Sequence, residues 1–150
     1  MDQAEAQQLL EELYAATSSG DGDRVRPLLS PEFEFEFDSV EAYAYCGVDG
    51  FCAAVRDWRD AWEEYQSELE ECFVADEYAV AILHIRGRGK GSGVDFETQR
   101  ADVWRLREGK LRAFRRFSDR AAALASLAQT DVSPAELAAL KHGLARTRAK

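Results

Sequence analysis

The feature that most constrains this chain is a run of strands whose turns are written into the sequence. Four segments, 68–75, 78–88, 94–106 and 110–118, read as strands. Asp76-Glu77 joins the first pair, and a glycine-rich segment joins the second. Glu108-Gly109 supplies a tight turn related to the favoured Asp-Gly type. Strands joined by such short turns lie side by side as an antiparallel meander.

The glycine-rich segment, HIRGRGKGSGVDF from His84 to Phe96, has glycine at 87, 89, 91 and 93, with Arg86, Arg88 and Lys90 between. A dinucleotide-binding loop is GxGxxG between a strand and a helix. Here the pattern is GxGxGxG between two strands, and the spacing of a P-loop is missing. It reads as a flexible, basic hairpin tip, in which glycine permits a bulge or a sharp twist.

The two turns give a register. Pairing Arg88 with Val94 sets His84 opposite Thr98, Ile82 opposite Arg100 and Val80 opposite Asp102. Pairing Arg107 with Lys110 sets Trp104 opposite Ala113, Asp102 opposite Arg115 and Arg100 opposite Phe117. Opposed residues share a face. One face then carries Val80, Ile82, His84, Thr98, Arg100, Asp102, Trp104, Arg115 and Phe117. The other carries Ala81, Leu83, Ile85, Ala101, Val103 and Phe114. A slip of one residue scrambles both sets.

Upstream, residues 3–18 read as a helix, with Ala6, Leu9, Leu10 and Leu13 at helical spacing and Gly20 as the stop. Asp23 begins a short second helix that runs to Leu29. FEFEF alternates strictly and places Phe33, Phe35 and Phe37 on one face of a strand. A third helix follows VDG and runs to about Tyr65, with Phe51, Val55, Trp58 and Trp62 on one stripe. Downstream, SDRAAALASLA is a helix capped by Ser118 or Asp119. SPAE at 133–136 opens a last one over 134–146. Helices first and a meander after imply an α+β domain over 1–128, with a helical extension over 129–150.

Composition narrows the partners. Hydrophobic residues make up 46% of the chain, enough for a core, and no apolar run is long enough to span a bilayer. The opening, MDQAEAQQLLEEL, is acidic and helical in pattern, unlike a secretion signal. Three cysteines without CxxC spacing and two distant histidines offer no metal site, and a reduced cytoplasm is the expected compartment. A net charge of −9 argues against nucleic acid. The charge is lopsided: residues 1–77 hold 21 acids and 4 bases, and residues 78–150 hold 7 acids and 15 bases. Either the halves neutralise each other or the second presents a basic patch.

An apolar sheet face with a few polar groups set in it is how a small-molecule pocket is built. Asp102 and Arg115 are either a structural ion pair or the polar centre of such a pocket. His84 is either a satisfied rim residue or a general base.

Four stretches also look familiar together. LLEELYAATSSGD with VRPLLSPEFEFEF, CGVDGFCAAVRDWRDAWEEY, RGRGKGSGVDFE and ADVWRLREGKLRAFRRFSDRAAALASL, in that order, resemble the SnoaL-like proteins of the nuclear transport factor two-like superfamily. The resemblance covers about residues 5–128. It implies a cone-shaped α+β fold, a curved antiparallel sheet packed by N-terminal helices around a pocket, usually as a homodimer. It also implies a hydrophobic small-molecule ligand and no cofactor. The superfamily includes polyketide cyclases, a steroid isomerase and non-enzymatic binders. In the steroid isomerases a catalytic aspartate ends the first strand, where this chain has Phe37. Their helix-borne tyrosine aligns with Leu13, next to Tyr14, and their strand aspartate aligns with Asp102.

Two functions follow as expectations. In the first, Asp102 or His84 moves a proton on a hydrophobic, carbonyl-bearing substrate. Arg100 or Arg115 would hold the developing oxyanion. Trp104, Phe37 and Phe117, with Tyr14 and Trp58, would contact the ligand. In the second, the domain is a ligand-binding or dimeric scaffold module without chemistry.

Overall fold

The strand pattern is realised as a single curved sheet, seen in a computed structural model that describes residues 2–36 and 46–138. Helix α1 spans Gln3–Ser19. The Asp2 side chain accepts from the Glu5 amide, and Gly20 closes the helix in the left-handed region at φ 72°. A side chain at position 20 would also collide with Arg59. A short helix, α2 (Gly22–Val25), and a 3-10 turn (Arg26–Leu28) lead into β1, Leu29–Glu36.

Helix α3 spans Gly47–Asp60 and stops short of its expected end at Tyr65. Strand β2, Trp62–Ala75, begins directly after it. The reason lies in β3, Tyr78–Gly89. Trp62 pairs with Gly89 and Tyr65 with Gly87, so the aromatic end of β2 lies over a glycine strand. A Cβ on Gly87 would sit 2.8 Å from the Phe96 ring, which lies 4.8 Å from Trp62 at a tilt of 31°. Gly87 thus makes room for a ring, while a side chain on Gly89 would meet Ser92. The expected stripe is divided: Phe51 and Val55 are buried, and Trp58 is 49% exposed.

Strands β4 (Asp95–Arg107) and β5 (Lys110–Phe117) complete the sheet, in the order β1-β5-β4-β3-β2. Strands β2 to β5 form the expected meander, and β1 joins β5 in parallel. Glu108 and Gly109 both have positive φ, as a type I′ turn requires. Helix α4, Arg120–Leu127, is capped by Asp119. The residues at 134–138 are helical, and the remainder of the expected last helix lies outside the described residues.

Two one-residue departures correct the expected faces. The β3–β4 hairpin closes with Arg88 opposite Asp95, not Val94. In β5, Leu111 pairs with Leu106 and Ala113 with Arg105, so Arg112 is an extra, bulged residue. The inner face therefore carries Ala81, Leu83 and Ile85 with Thr98, Arg100, Asp102 and Trp104, and with Phe114 and Arg116. Helices α1 and α3 pack on this face. Val80, Ile82, Ala101 and Val103 line the outer face beneath α4 and Val132. His84, Arg115 and Phe117 share that outer face, separated by the sheet from Asp102.

Candidate functional site

Among the described residues, the inner face holds one buried carboxylate, Asp102, with 0% exposure. It sits in an otherwise apolar strand stretch, ADVW, where a charge persists only if it is paired and hydrogen-bonded. The bulge at Arg112 delivers the partner, because it turns Arg116 rather than Arg115 toward Asp102. Arg116 donates from Nε to Oδ1 at 2.8 Å and from Nη2 to Oδ2 at 3.1 Å. This is the bidentate geometry that makes arginine–carboxylate pairs strong.

Helix α1 supplies the third member. Tyr14, buried on the face that carries Leu10 and Leu13, donates its hydroxyl to Asp102 Oδ2 at 2.7 Å. Trp104 Nε1 in turn donates to the Tyr14 hydroxyl at 2.8 Å. The chain of bonds thus runs from Trp104 through Tyr14 to Asp102, and Arg116 closes it. Both carboxylate oxygens are occupied.

The electrostatics follow. Burial, then the charge and hydrogen bond of Asp102, push the Tyr14 phenol well above its usual value of 10.0. Burial alone would lower the Arg116 pKa. The Asp102 carboxylate, by charge and by hydrogen bond, reverses this and raises it, so the guanidinium stays charged.

Aromatic rings fill the space around this network. Trp104 lies 4.5 Å from Phe114, Phe33 lies 5.0 Å from Phe51, and Phe35 lies 5.2 Å from Phe51, as ring centroids. The Arg116 guanidinium lies 5.7 Å from the Phe114 ring. Asp102 is therefore sealed, while the Arg116 side chain keeps 28% of its surface exposed. Arg100, two residues from Asp102 on β4, is the diagonal neighbour of Arg116 on the same face. It donates to the Thr98 hydroxyl at 2.6 Å and to the Gln99 carbonyl at 2.9 Å.

Of the residues picked from sequence, Asp102, Trp104 and Tyr14 come together, with Arg100 beside them. His84 contacts Glu97 on the outer face. Arg115 lies 5.1 Å over the Phe117 ring on that face. Trp58 packs edge-on against Trp62 and Tyr65 at the end of α3. Phe37 lies outside the described residues. Arg116 was missed, together with the aromatic partners Phe33, Phe51 and Phe114. A signal for Arg116 was present: Leu111 and Phe114 are both apolar and three apart, facing Leu106 and Trp104, which are two apart. That mismatch marks the bulge.

Among the described residues, no group of three His, Cys, Asp or Glu side chains is placed to hold a metal ion. No helix there is long and apolar enough to cross a membrane. An open groove of about 330 Å³ runs between α1 and β2, lined by Glu11, Tyr14, Ser18, Ser67, Glu68 and Leu69.

Residues 10–114 match the SnoaL-like domain family. No curated protein matches the chain. Among solved structures, TsrD from Streptomyces laurentii is 28% identical, with a TM-score of 0.69 over 79% of this chain and 91% of that one. An NTF2-like protein of unknown function from Burkholderia pseudomallei is 22% identical, with a TM-score of 0.66 over 83% of this chain and 97% of that one. A protein with a ketosteroid isomerase-like fold from Catenulispora acidiphila, in complex with trimethylamine, is 14% identical. Its TM-score is 0.66 over 85% of this chain and 98% of that one. The latter two likenesses concern the fold alone.

Proposed function

The chain belongs to the SnoaL-like domain family, and from that premise we propose that it binds a small apolar molecule through an electron-rich oxygen. The oxygen is a carboxylate, an enolate or a carbonyl. Arg116 is its hydrogen-bond donor, and Asp102 and Tyr14 hold that guanidinium in place. The observation that carries this reading is an asymmetry within one ion pair. Asp102 is sealed with both oxygens occupied, while the Arg116 side chain keeps 28% of its surface exposed on the face that also carries Arg100. A guanidinium fixed by one carboxylate is a pre-organised donor for a second acceptor.

The same asymmetry favours binding over proton transfer. A general base needs a lone pair within reach of the substrate. The Asp102 lone pairs accept from Arg116 and Tyr14, and His84 faces the other side of the sheet. Asp102 is thus a positioning residue in this reading. Trp104, Phe114 and Phe51 form the apolar wall behind it.

The test is equilibrium binding of naphthalene-2-carboxylate and of 2-acetylnaphthalene, followed by tryptophan emission. The comparison is wild type against Asp102→Asn/Arg116→Gln, a double variant that keeps polar partners in place but removes both charges. The reading expects saturable binding to wild type and a loss of about tenfold or more in the double variant, the scale of one charge-assisted contact. Equal affinity in the two proteins, or no saturable binding of either probe to wild type, would refute it.

A further inference from the structure

Strand β4 sets a second guanidinium on the face that carries Arg116. Arg100 pairs with Leu83 across the β3–β4 ladder and stands two residues from Asp102, so it shares the inner face. It is half-buried there. Its Nη1 donates to the Thr98 hydroxyl at 2.6 Å and to the Gln99 carbonyl at 2.9 Å, and both acceptors are neutral. Among the described residues, no carboxylate is placed to pair with it. The outer face treats its arginines differently: Arg88 and Arg105 each reach a carboxylate, at 2.8 Å and 2.9 Å.

The charge count follows. At the paired inner-face positions of β3, β4 and β5 stand two cations, Arg100 and Arg116, and one anion, Asp102. The residues of α1 and α3 that are buried are all uncharged. This lining thus carries one net positive charge, in a chain whose formal net charge is −9. A half-buried cation without a counter-ion is costly to keep and attracts an anion.

We propose that Arg100 is the specificity-determining residue of the Arg116 site, and that it restricts the ligand to an apolar carboxylic acid bound as its carboxylate. The proposal rests on the reading of Arg116 as the ligand's donor and selects one of the three oxygens named there. Arg116 and Asp102 together are neutral, so they supply direction. Arg100 supplies the unbalanced charge. Diagonal neighbours on a sheet lie about 7–8 Å apart. At that range a partly desolvated charge still acts on a carboxylate held by Arg116. A ketone of the same shape gains the Arg116 hydrogen bond and little from Arg100.

The experiment measures the affinities of naphthalene-2-carboxylate and 2-acetylnaphthalene at neutral pH, by tryptophan emission, for wild type, Arg100→Gln and Arg100→Lys. Wild type prefers the carboxylate. Arg100→Gln weakens carboxylate binding about tenfold more than ketone binding, the scale of one partly screened charge. Arg100→Lys keeps the charge and restores most of the preference, which a role in packing alone would not do. Added salt weakens carboxylate binding more in wild type than in Arg100→Gln. Equal weakening of both probes in Arg100→Gln would overturn the proposal, and so would a carboxylate preference that survives in that variant. In either case, saturable binding that is lost in Asp102→Asn/Arg116→Gln would leave the reading of Arg116 standing. Wild type that binds neither probe would overturn both.

Discussion

The two faces of the sheet solve the problem of cross-strand charge in opposite ways. On the inner face, one carboxylate is taken fully out of water and then satisfied by three donors from two elements. On the outer face, charges stay wet and pair along the rungs of the meander. Glu64, Arg88 and Asp95 form one rung, Gln66, Arg86 and Glu97 the next, and Glu68, His84 and Gln99 a third. Arg88 reaches Asp95 at 2.8 Å with both side chains well exposed. In length this bond matches Arg116 Nε to Asp102 Oδ1, though it is single where that pair is bidentate. Energetically it does not match, because solvent competes for it and ions screen it. The difference teaches that pairing on this sheet carries energetic weight only where the surrounding rings exclude water.

The sharpest way to break the contrast is to remove one member on each side. Arg116→Met leaves the Asp102 charge buried without its counter-ion, and should cost about 3–5 kcal/mol in urea unfolding. Trp104→Ala opens a cavity among Phe33, Phe51 and Phe114 and removes the donor to Tyr14, a loss of similar size, about 3–5 kcal/mol. Glu97→Gln on the outer face should leave the unfolding midpoint where it was. Equal effects of Arg116→Met and Glu97→Gln would dissolve the distinction between the faces.

A smaller effect is expected at Tyr14. Tyr14→Phe removes a hydrogen bond to a charged acceptor and strands the Trp104 donor, which costs about 2 kcal/mol. It also changes the alkaline limb of stability. The folded Tyr14 pKa is raised above 10.0, so the unfolded chain releases this proton first as pH climbs. The stabilisation tied to the protonated phenol is complete below pH 10 and is lost as pH rises through the folded value. Burial pushes the Cys72 thiol up to about 12 from 9.0, so it acts on the same limb. Stability curves of Tyr14→Phe in a Cys72→Ala background should therefore be flatter above pH 10 than those of Cys72→Ala alone. Identical slopes would contradict the raised phenol.

The smallest effect belongs to the bulge. Deleting Arg112 makes the β4–β5 ladder regular but keeps Leu111 on Leu106 and Ala113 on Arg105. The Asp102–Arg116 pair should survive, with only a modest drop in thermal midpoint. Loss of the pair, seen as unfolding behaviour like that of Arg116→Met, would show that the bulge sets more than a residue count.

Much of the architecture was legible because turns and periodicity are local. The Glu108-Gly109 turn, the FEFEF alternation and the Gly20 stop each act within a few residues; the structure keeps the turn and the stop, and keeps the alternation through Phe35 among the described residues. The site was legible only in part. Asp102 and Trp104 stand out on one strand, and their shared face needs nothing but period two. Their partners depend on how strands and helices count against each other. A loop one residue longer at 89–94 moved His84 to the far side, and one bulged arginine exchanged Arg115 for Arg116. Tyr14 reaches Asp102 across 88 residues of chain, a contact set by how α1 lies on the sheet. The α3 boundary failed for a related reason. Trp62 continues the helical stripe of Trp58, but the glycines of β3 offer its ring a better seat in β2.

The central claim is that Arg116, and not its neighbour, presents the inner face to a ligand. The most direct measurement is the affinity of naphthalene-2-carboxylate for wild type, Arg116→Lys and Arg115→Lys. Each substitution keeps the charge and so limits any effect on folding. Lysine cannot reproduce a bidentate fork, so Arg116→Lys should bind about tenfold more weakly or worse. Arg115→Lys, on the outer face, should match wild type. Wild-type affinity in Arg116→Lys, or a loss confined to Arg115→Lys, would contradict the account.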